Sequence, residues 1–173
     1  MKRSLHVVSP GLLTTVQDCG RPGWRHLGVA HAGALDPDAA RLANRLVGNV
    51  ANLAVLELTL RGPTLRFDAP ARIAMIGAAP TARFEGERVP GGRPVDLPAG
   101  TLEIGSLRGG ARAWLAIDGG IDVAPVLGSR STDLRGGFGG FDGSALRAGD
   151  VVPIGCRVAR PIGSVDAPAW WID

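Results

Sequence analysis

Residues 36–49 read DPDAARLANRLVGN and form the one segment of the chain with a helical pattern. Asp36 is placed to cap the amino end of a helix, Pro37 suits the first helical position, and Gly48 suits the left-handed residue that ends it. The spacing i, i+3, i+4, i+7 and i+8 places five apolar side chains on one face. They are Ala39, Leu42, Ala43, Leu46 and Val47. The segment therefore predicts an α-helix over residues 37–47.

The remainder of the chain consists of short apolar or β-branched runs separated by Gly, Pro and Asp turns, a pattern that favours a β-barrel or sandwich with glycine-rich loops. A helix of roughly 16 Å, at about 1.5 Å per residue, is long enough to plug one opening of a small barrel or to flank it. The predicted strands are Leu5–Val8, Thr14–Gln17, Val55–Thr59, Leu65–Phe67, Ile73–Ile76, Ala82–Phe84, Leu102–Ile104, Trp114–Ile117 and Val151–Ile154.

Length and composition set the outer limits. A chain of 173 residues with 45% hydrophobic residues can bury one core, so we expect residues 1–173 to form a single, mainly β domain. The 19 basic residues are dispersed and face 16 acidic ones, which argues against nucleic acid as a partner. Neither a signal-peptide core nor the roughly 18 apolar residues of a membrane span appears, so a cytoplasmic location without membrane contact is expected.

Residue types restrict the cofactor chemistry. Lys2 is the only lysine, so the chain carries neither a Walker phosphate loop nor an interior lysine that could accept biotin. Cys19 and Cys156 lie too far apart in sequence for a metal motif and are expected to be free, buried thiols. The three histidines show no ligand spacing, and no metal site is predicted.

Gln17, Asp18 and Arg21 lie where a predicted strand gives way to a glycine turn, so their side chains gather at a strand end. Asp18 and Arg21 could form a local salt bridge. Alternatively, Arg21 could grip a substrate carboxylate while Asp18 orients the substrate or acts as a base. The spacing alone does not decide between these interpretations.

Glu57 interrupts an apolar run, and Asn44 and Asn49 lie on and just after the predicted helix. A strand glutamate either points to solvent by alternation or is buried with a partner. Since its neighbours of the same face are Val55 and Thr59, both interpretations stay open.

A second polar cluster, Ser129-Arg130-Ser131-Thr132, precedes the glycine-rich residues 136–140. Exposed N–H groups and hydroxyls of this kind could cradle a phosphate or carboxylate, although glycine-rich loops more often form tight turns. The cluster lacks the Gly-x-Ser-x-Gly elbow, so a hydrolytic serine is not predicted.

Five ordered blocks resemble the second subunit of bacterial allophanate hydrolase-type proteins, the family now called biotin-dependent carboxyltransferase or the 5-oxoprolinase C subunit. The blocks are GLLTTVQDCGR at 11–21, GALD at 33–36, ANRLVGN at 43–49, LELTLRGP at 56–63 and LGSRSTD at 127–133. The resemblance implies a cyclophilin-like β-barrel that works in a complex with the companion 5-oxoprolinase subunits B and A.

The resemblance also implies a function: ATP-dependent opening of 5-oxoproline to glutamate, or transfer of a carboxyl group from carboxybiotin to a small amide such as urea. ATP would be used by the complex, and biotin would be carried by another chain. The blocks then place the site residues on one face of a pocket. The implied catalytic residues are Asp18 and Glu57, and the implied substrate-binding residues are Gln17, Arg21, Asn44, Asn49, Ser129, Arg130, Ser131 and Thr132.

Members of this family run to about twice this length, so the chain is expected to represent the amino-terminal half and to be inactive in isolation. Trp170 and Trp171 would then mark the junction with the missing half. The alternative function is a regulatory binding module that antagonises a histidine-kinase inhibitor. Prolyl isomerisation, suggested only by the fold analogy, ranks last.

Overall fold

The computed structural model describes residues 3–157, so the predicted junction at Trp170 and Trp171 lies outside the described residues. Over these residues the fold is mainly β with one α-helix, as the sequence predicts. A short 3-10 turn, Arg25–Leu27, precedes the helix. The strands are β1 Arg3–Ser9, β2 Leu13–Gln17, β3 Val55–Thr59, β4 Thr64–Phe67, β5 Ala71–Phe84, β6 Glu87–Val89, β7 Val95–Leu97, β8 Gly100–Ile117 and β9 Val151–Ile154.

The helix α1 spans Pro37–Val47, the bounds that the sequence predicts. The Asp36 carboxylate accepts hydrogen bonds from the N–H groups of Asp38 and Ala39 at 3.1 and 3.0 Å, which satisfies two donors that a helix start leaves free. At the other end Gly48 adopts the left-handed conformation, with φ of 85°. Local sequence chemistry therefore accounts for both ends.

The strands pair antiparallel in the order β2-β3-β8-β4-β1-β9, and β5 pairs with β6, β7 and β8. The sequence predicts two separate strands within each of β5 and β8, but each forms a single long strand. Register shifts interrupt their pairing between Gly77 and Ala79 and between Pro80 and Ala82. Such bulges bend a strand without ending it, and the sheet curls into a half-barrel.

Alternate residues of the long strands divide the core between two faces of the sheet. On β8, Leu115 packs into the main cluster inside the curl, whereas Trp114 and Ala116 face the opposite side. The helix packs there against β5 and β8 through Ala40, Ala43 and Val47. It thus flanks the sheet and does not plug an opening.

The buried face of α1 differs from the predicted one. Leu42 is 37% exposed, whereas Ala40 and Asn44 are buried. Relative to the predicted face, the helix is rotated about its axis so that small residues and one asparagine lie against the sheet. The buried residues are Ala40, Ala43, Asn44 and Val47. No helix within residues 3–157 is long and apolar enough to cross a membrane.

Candidate functional site

The centre of the candidate site is the carboxylate of Asp18, directly after β2. Its Oδ1 accepts hydrogen bonds from the hydroxyls of Ser129 and Ser131 at 2.6 and 2.5 Å, and from the N–H of Gly20 at 2.8 Å. Its Oδ2 accepts from the N–H of Arg130 at 2.6 Å. Four donors therefore surround one carboxylate, three of them from a segment more than a hundred residues away.

This arrangement shows what fills the anion cradle that the sequence predicts at residues 129–132. The hydroxyls of Ser129 and Ser131 and the N–H of Arg130 bind Asp18, an anion of the chain itself. Because these hydrogen bonds join a residue directly after β2 to residues 129–131, the carboxylate holds the loop on the sheet. The site thus joins Asp18 to residues 129–132, here called the serine loop, which lie more than a hundred positions away in the sequence.

Arg21 forms no salt bridge with Asp18, so that interpretation is wrong. Arg21 is 1% exposed, and its guanidinium stacks on the ring of Phe138 at 4.8 Å. Nη2 donates to the carbonyl of Ser131, and Nε donates to that of Val126 at 3.4 Å. Arg21 therefore binds backbone carbonyls in and just before the loop whose serine hydroxyls bind Asp18.

Gln17 and Thr132 complete the contact between β2 and this loop. Thr132 donates to the Val16 carbonyl through its N–H and its hydroxyl, at 2.9 and 3.0 Å. The Nε2 of Gln17 donates to the Thr132 carbonyl at 3.3 Å and to the Thr15 hydroxyl at 3.1 Å. The Oε1 of Gln17 is buried without a hydrogen-bond partner within residues 3–157.

Glu57 is buried with partners, which answers the question that the sequence leaves open. It is 9% exposed, and its Oε2 accepts from Trp114 Nε1 at 2.9 Å and from the N–H of Leu35 at 2.7 Å. Arg112 Nε lies 3.4 Å from Oε1. Glu57 pairs across the sheet with Thr15, and Thr15 and Gln17 point to the same face of β2, so Glu57 and Gln17 are diagonal neighbours on that face.

Asn44 and Asn49 form a separate group at the carboxyl end of α1. Asn49 donates to the side-chain oxygen of Asn44 at 2.9 Å and to the carbonyl of Ile117 at 2.8 Å. Asn44 donates to the carbonyls of Ala51 and Leu53 at 3.2 and 2.8 Å. The pair thus joins the helix to the end of β8 and lies apart from the Asp18 network.

Two open clefts border these groups. The larger, of about 650 Å³, lies beside the end of α1. The smaller, of about 470 Å³, lies over the glycine-rich loop after Thr132. Among the predicted site residues, Asn49 alone lines one of these two clefts.

A charged cluster in the larger cleft was not predicted from the sequence. Asp118, 5% exposed, accepts from Arg3 at 2.6 Å and from the side chain of Arg157. Arg72 binds Asp96 through two nitrogens at 2.9 and 2.5 Å. The available signal was an aspartate directly after the buried run that ends β8. No cluster of three or more His, Cys, Asp or Glu side chains suited to a metal occurs within residues 3–157.

The chain matches one protein family and several proteins of known sequence or structure. The family model described as carboxyltransferase domain, subdomain A and B, matches residues 27–170. The chain is 46% identical over 152 residues to the C subunit of Escherichia coli 5-oxoprolinase, covering 87% of this chain and 49% of that protein. It is 41% identical over 151 residues to the urea amidolyase of Saccharomyces cerevisiae, covering 86% of this chain and 8% of that protein.

The solved structures include the urea carboxylase of Kluyveromyces lactis, which superposes with a TM-score of 0.86. It is 39% identical and covers 89% of this chain, which covers 14% of that one. The chain thus spans about half the length of the bacterial relative and a small part of the fungal ones.

Proposed function

The chain belongs to the family of the carboxyltransferase domain, subdomain A and B, and from that membership we propose that it is one module of a biotin-dependent carboxyltransferase-type complex. Within that class we propose the 5-oxoprolinase type, which opens 5-oxoproline to glutamate with ATP. The observation that carries this choice is the 46% identity to the 5-oxoprolinase protein of Escherichia coli across 87% of the chain.

The proposal assigns the energy-consuming and carrier steps to other chains. If the complex uses carboxybiotin, another chain would carry the biotin, because Lys2 is the single lysine of this sequence. ATP would be used by the complex, which includes the companion subunits A and B. This module would contribute the Asp18 network and the smaller cleft, and the other half of the family architecture would complete the working site.

Carboxylation of urea is the second candidate function. It is favoured by the 41% identity to the yeast urea amidolyase and by the superposition on a urea carboxylase. Both candidates involve a small amide and a group that becomes negatively charged, which backbone N–H donors can stabilise. The comparisons do not favour a role as antagonist of a kinase inhibitor.

A segment exchange tests the proposal. Residues 1–173 replace the matching segment of the Escherichia coli relative, and the chimera is combined with its companion subunits, ATP and 5-oxoproline. We expect ATP-dependent release of glutamate, with the native complex as the positive control. The same exchange in yeast urea amidolyase, assayed with urea and bicarbonate, tests the second candidate. A folded chimera that joins its complex but releases no glutamate would exclude the 5-oxoprolinase assignment.

A further inference from the structure

The smaller cleft lies over a buried positive charge. Three of its lining residues touch the guanidinium of Arg21: Phe138 by stacking, Val126 by its carbonyl, and Gly139 by close approach. A Cβ atom built on Gly139 would overlap the Ser131 carbonyl oxygen and lie 2.7 Å from Nη2, and the backbone clash makes this position one for glycine. The guanidinium thus lies directly beneath the floor of the cleft.

Within residues 3–157, the chain does not neutralise this charge. Arg21 is 1% exposed, its Nη1 has no hydrogen-bond partner, and no carboxylate of these residues lies within 4.0 Å of the guanidinium. Arginine stays charged at all physiological pH values, and a buried charge is costly unless it is paired. An anion in the cleft would supply the missing charge.

The floor of the cleft also offers free backbone donors. Gly139 and Gly140 adopt positive φ angles of 71° and 55°, and their N–H groups have no acceptor within the described part of the chain. Gly139 is buried, where an unsatisfied N–H is rare. Consecutive glycines with free N–H groups beside a cation are a common way to bind an anionic oxygen.

The walls of the cleft are apolar, and its rim carries two aspartates. Asp122 is paired with Arg130 at 3.3 Å, whereas Asp142 is exposed and has no ion pair within the described residues. The apolar lining suits a compact ligand body. It consists of Val123, Ala124, Val126, Phe138, Phe141 and Pro153.

We propose that this cleft binds the carboxylate of a small, compact acid, with the glycine N–H groups as donors and the buried Arg21 as counter-charge. The inference deepens the proposed function and rests on it for the choice of 5-oxoproline as the probe. A volume of about 470 Å³ is adequate for a ligand of this size.

The test measures binding of three probes to the full 173-residue chain by calorimetry at low salt: 5-oxoproline, its uncharged amide 5-oxoprolinamide, and inorganic phosphate. We expect 5-oxoproline to bind at least about tenfold more tightly than the amide, because a charge-assisted contact contributes more than a neutral one. Phosphate should not displace it at equal concentration. Equal binding of acid and amide, displacement by phosphate, or no binding would overturn the proposal.

Substitutions at the lining residue Ala124 and at the rim residue Asp142 leave the buried contacts of Arg21 unchanged. Ala124→Asp should weaken binding of 5-oxoproline roughly twofold to fivefold relative to the neutral Ala124→Asn, and salt should reduce the difference. Asp142→Asn should tighten it. Arg21→Met should abolish binding in a chain whose circular dichroism is native. If the Ala124→Asp and Ala124→Asn variants bind 5-oxoproline with equal affinity at low salt, the cleft is not the binding site.

The outcomes separate this inference from the proposed function. Binding of 5-oxoproline by the chain together with an inactive chimera would count against the function alone. An active chimera whose segment binds none of the probes would count against the cleft alone.

Discussion

Asp18 and Ser131 are joined by two hydrogen bonds of opposite direction. The hydroxyl of Ser131 donates to Asp18 Oδ1 at 2.5 Å and accepts from the Asp18 N–H at 2.9 Å. One hydroxyl thereby satisfies a backbone donor at the end of β2 and a carboxylate oxygen of the same residue. Both hydrogen bonds form only when the Ser131 hydroxyl lies between the Asp18 N–H and Oδ1, so the serine loop is held in one position on the sheet.

The first prediction concerns Asp18→Asn. Gly20 donates to one carboxylate oxygen and Arg130 to the other, both through backbone N–H groups. Whichever way the amide turns, its NH2 group faces one of these donors. We expect the free energy of unfolding to fall by about 1.5 to 3 kcal/mol.

Denaturant unfolding measures this loss, with the exposed Asp142→Asn as the control, which should change stability by less than about 0.5 kcal/mol. If Asp18→Asn is as stable as the control, the hydrogen bonds of the Asp18 carboxylate do not stabilise the contact between β2 and the serine loop.

The second prediction concerns the helix cap. Asp36→Ala removes the oxygen that accepts from Asp38 and Ala39. The expected cost is about 1 kcal/mol, whereas Asp36→Ser, which keeps a capping oxygen, should cost only a few tenths. Thermal or denaturant unfolding of both variants decides it, and equal losses would contradict the capping role.

The contrast between Asp36 and Asp18 shows which parts of the molecule the sequence could predict. The cap acts on the next few residues, so the pattern of residues 36–49 predicts both helix ends correctly. Asp18 binds residues more than a hundred positions away, and no local pattern identifies which anion fills the cradle. Sequence analysis assigned Asp18 and residues 129–132 to the candidate site but did not predict that they bind each other. It missed the stacking of Phe138 on Arg21 for the same reason.

The buried face of α1 marks a different limit. Hydrophobicity alone placed Leu42 inward, but the sheet beneath the helix carries Trp114, which fills the space that small helix residues leave. Asn44 is buried instead, because Asn49 and nearby carbonyls satisfy its polar atoms. Such an exchange depends on partners that the helix sequence does not contain.

The third prediction tests the asparagine pair. Asn44→Ala leaves the carbonyls of Ala51 and Leu53 without this donor, and the expected loss is roughly 2 to 4 kcal/mol of unfolding free energy. Asn49→Ala should have a similar effect. Because the two side chains share a hydrogen bond, the double variant should lose less than the sum.

The exposed Asn52→Ala is the matched control for unfolding measurements and should stay within about 0.5 kcal/mol of the parent. Strictly additive losses for Asn44 and Asn49 would mean that the shared bond contributes nothing.

The fourth prediction separates the charge of Glu57 from its hydrogen bonds. Both donors, Leu35 N–H and Trp114 Nε1, bind Oε2, so the oxygen of Gln can replace it while the NH2 group faces Arg112. We expect Glu57→Gln to cost about 1 kcal/mol and Glu57→Leu about 3 kcal/mol, since the latter leaves both donors unsatisfied.

A double-variant cycle with Arg112→Gln checks the origin of the smaller loss. Adding Arg112→Gln should remove most of the cost of Glu57→Gln, because the guanidinium then no longer faces an uncharged partner. No coupling between the two changes would show that Arg112 does not stabilise the carboxylate.

The fifth prediction is a pH dependence. The hydroxyl of Ser4 donates to Asp68 Oδ2 at 2.8 Å, and His6 Nε2 lies 2.7 Å from the same oxygen. These contacts, the Ser4 bond first, hold the pKa of Asp68 below its ordinary value despite partial burial, which acts in the opposite direction. A depressed folded-state pKa stabilises the protein above the pKa of the unfolded chain, about 3.9.

That stabilisation is lost as the pH falls through the folded-state pKa of Asp68. Its size should stay below about 1 kcal/mol, because the side chain is 40% exposed and solvent screens the contacts. The measurement is the unfolding free energy of the parent minus that of Asp68→Asn, taken from about pH 6 to about pH 2. We expect the difference to shrink towards the acid end, because the protonated carboxyl and the amide then carry the same charge. A difference that stays constant across this range would assign the loss in Asp68→Asn to its altered hydrogen bonds and not to the charge.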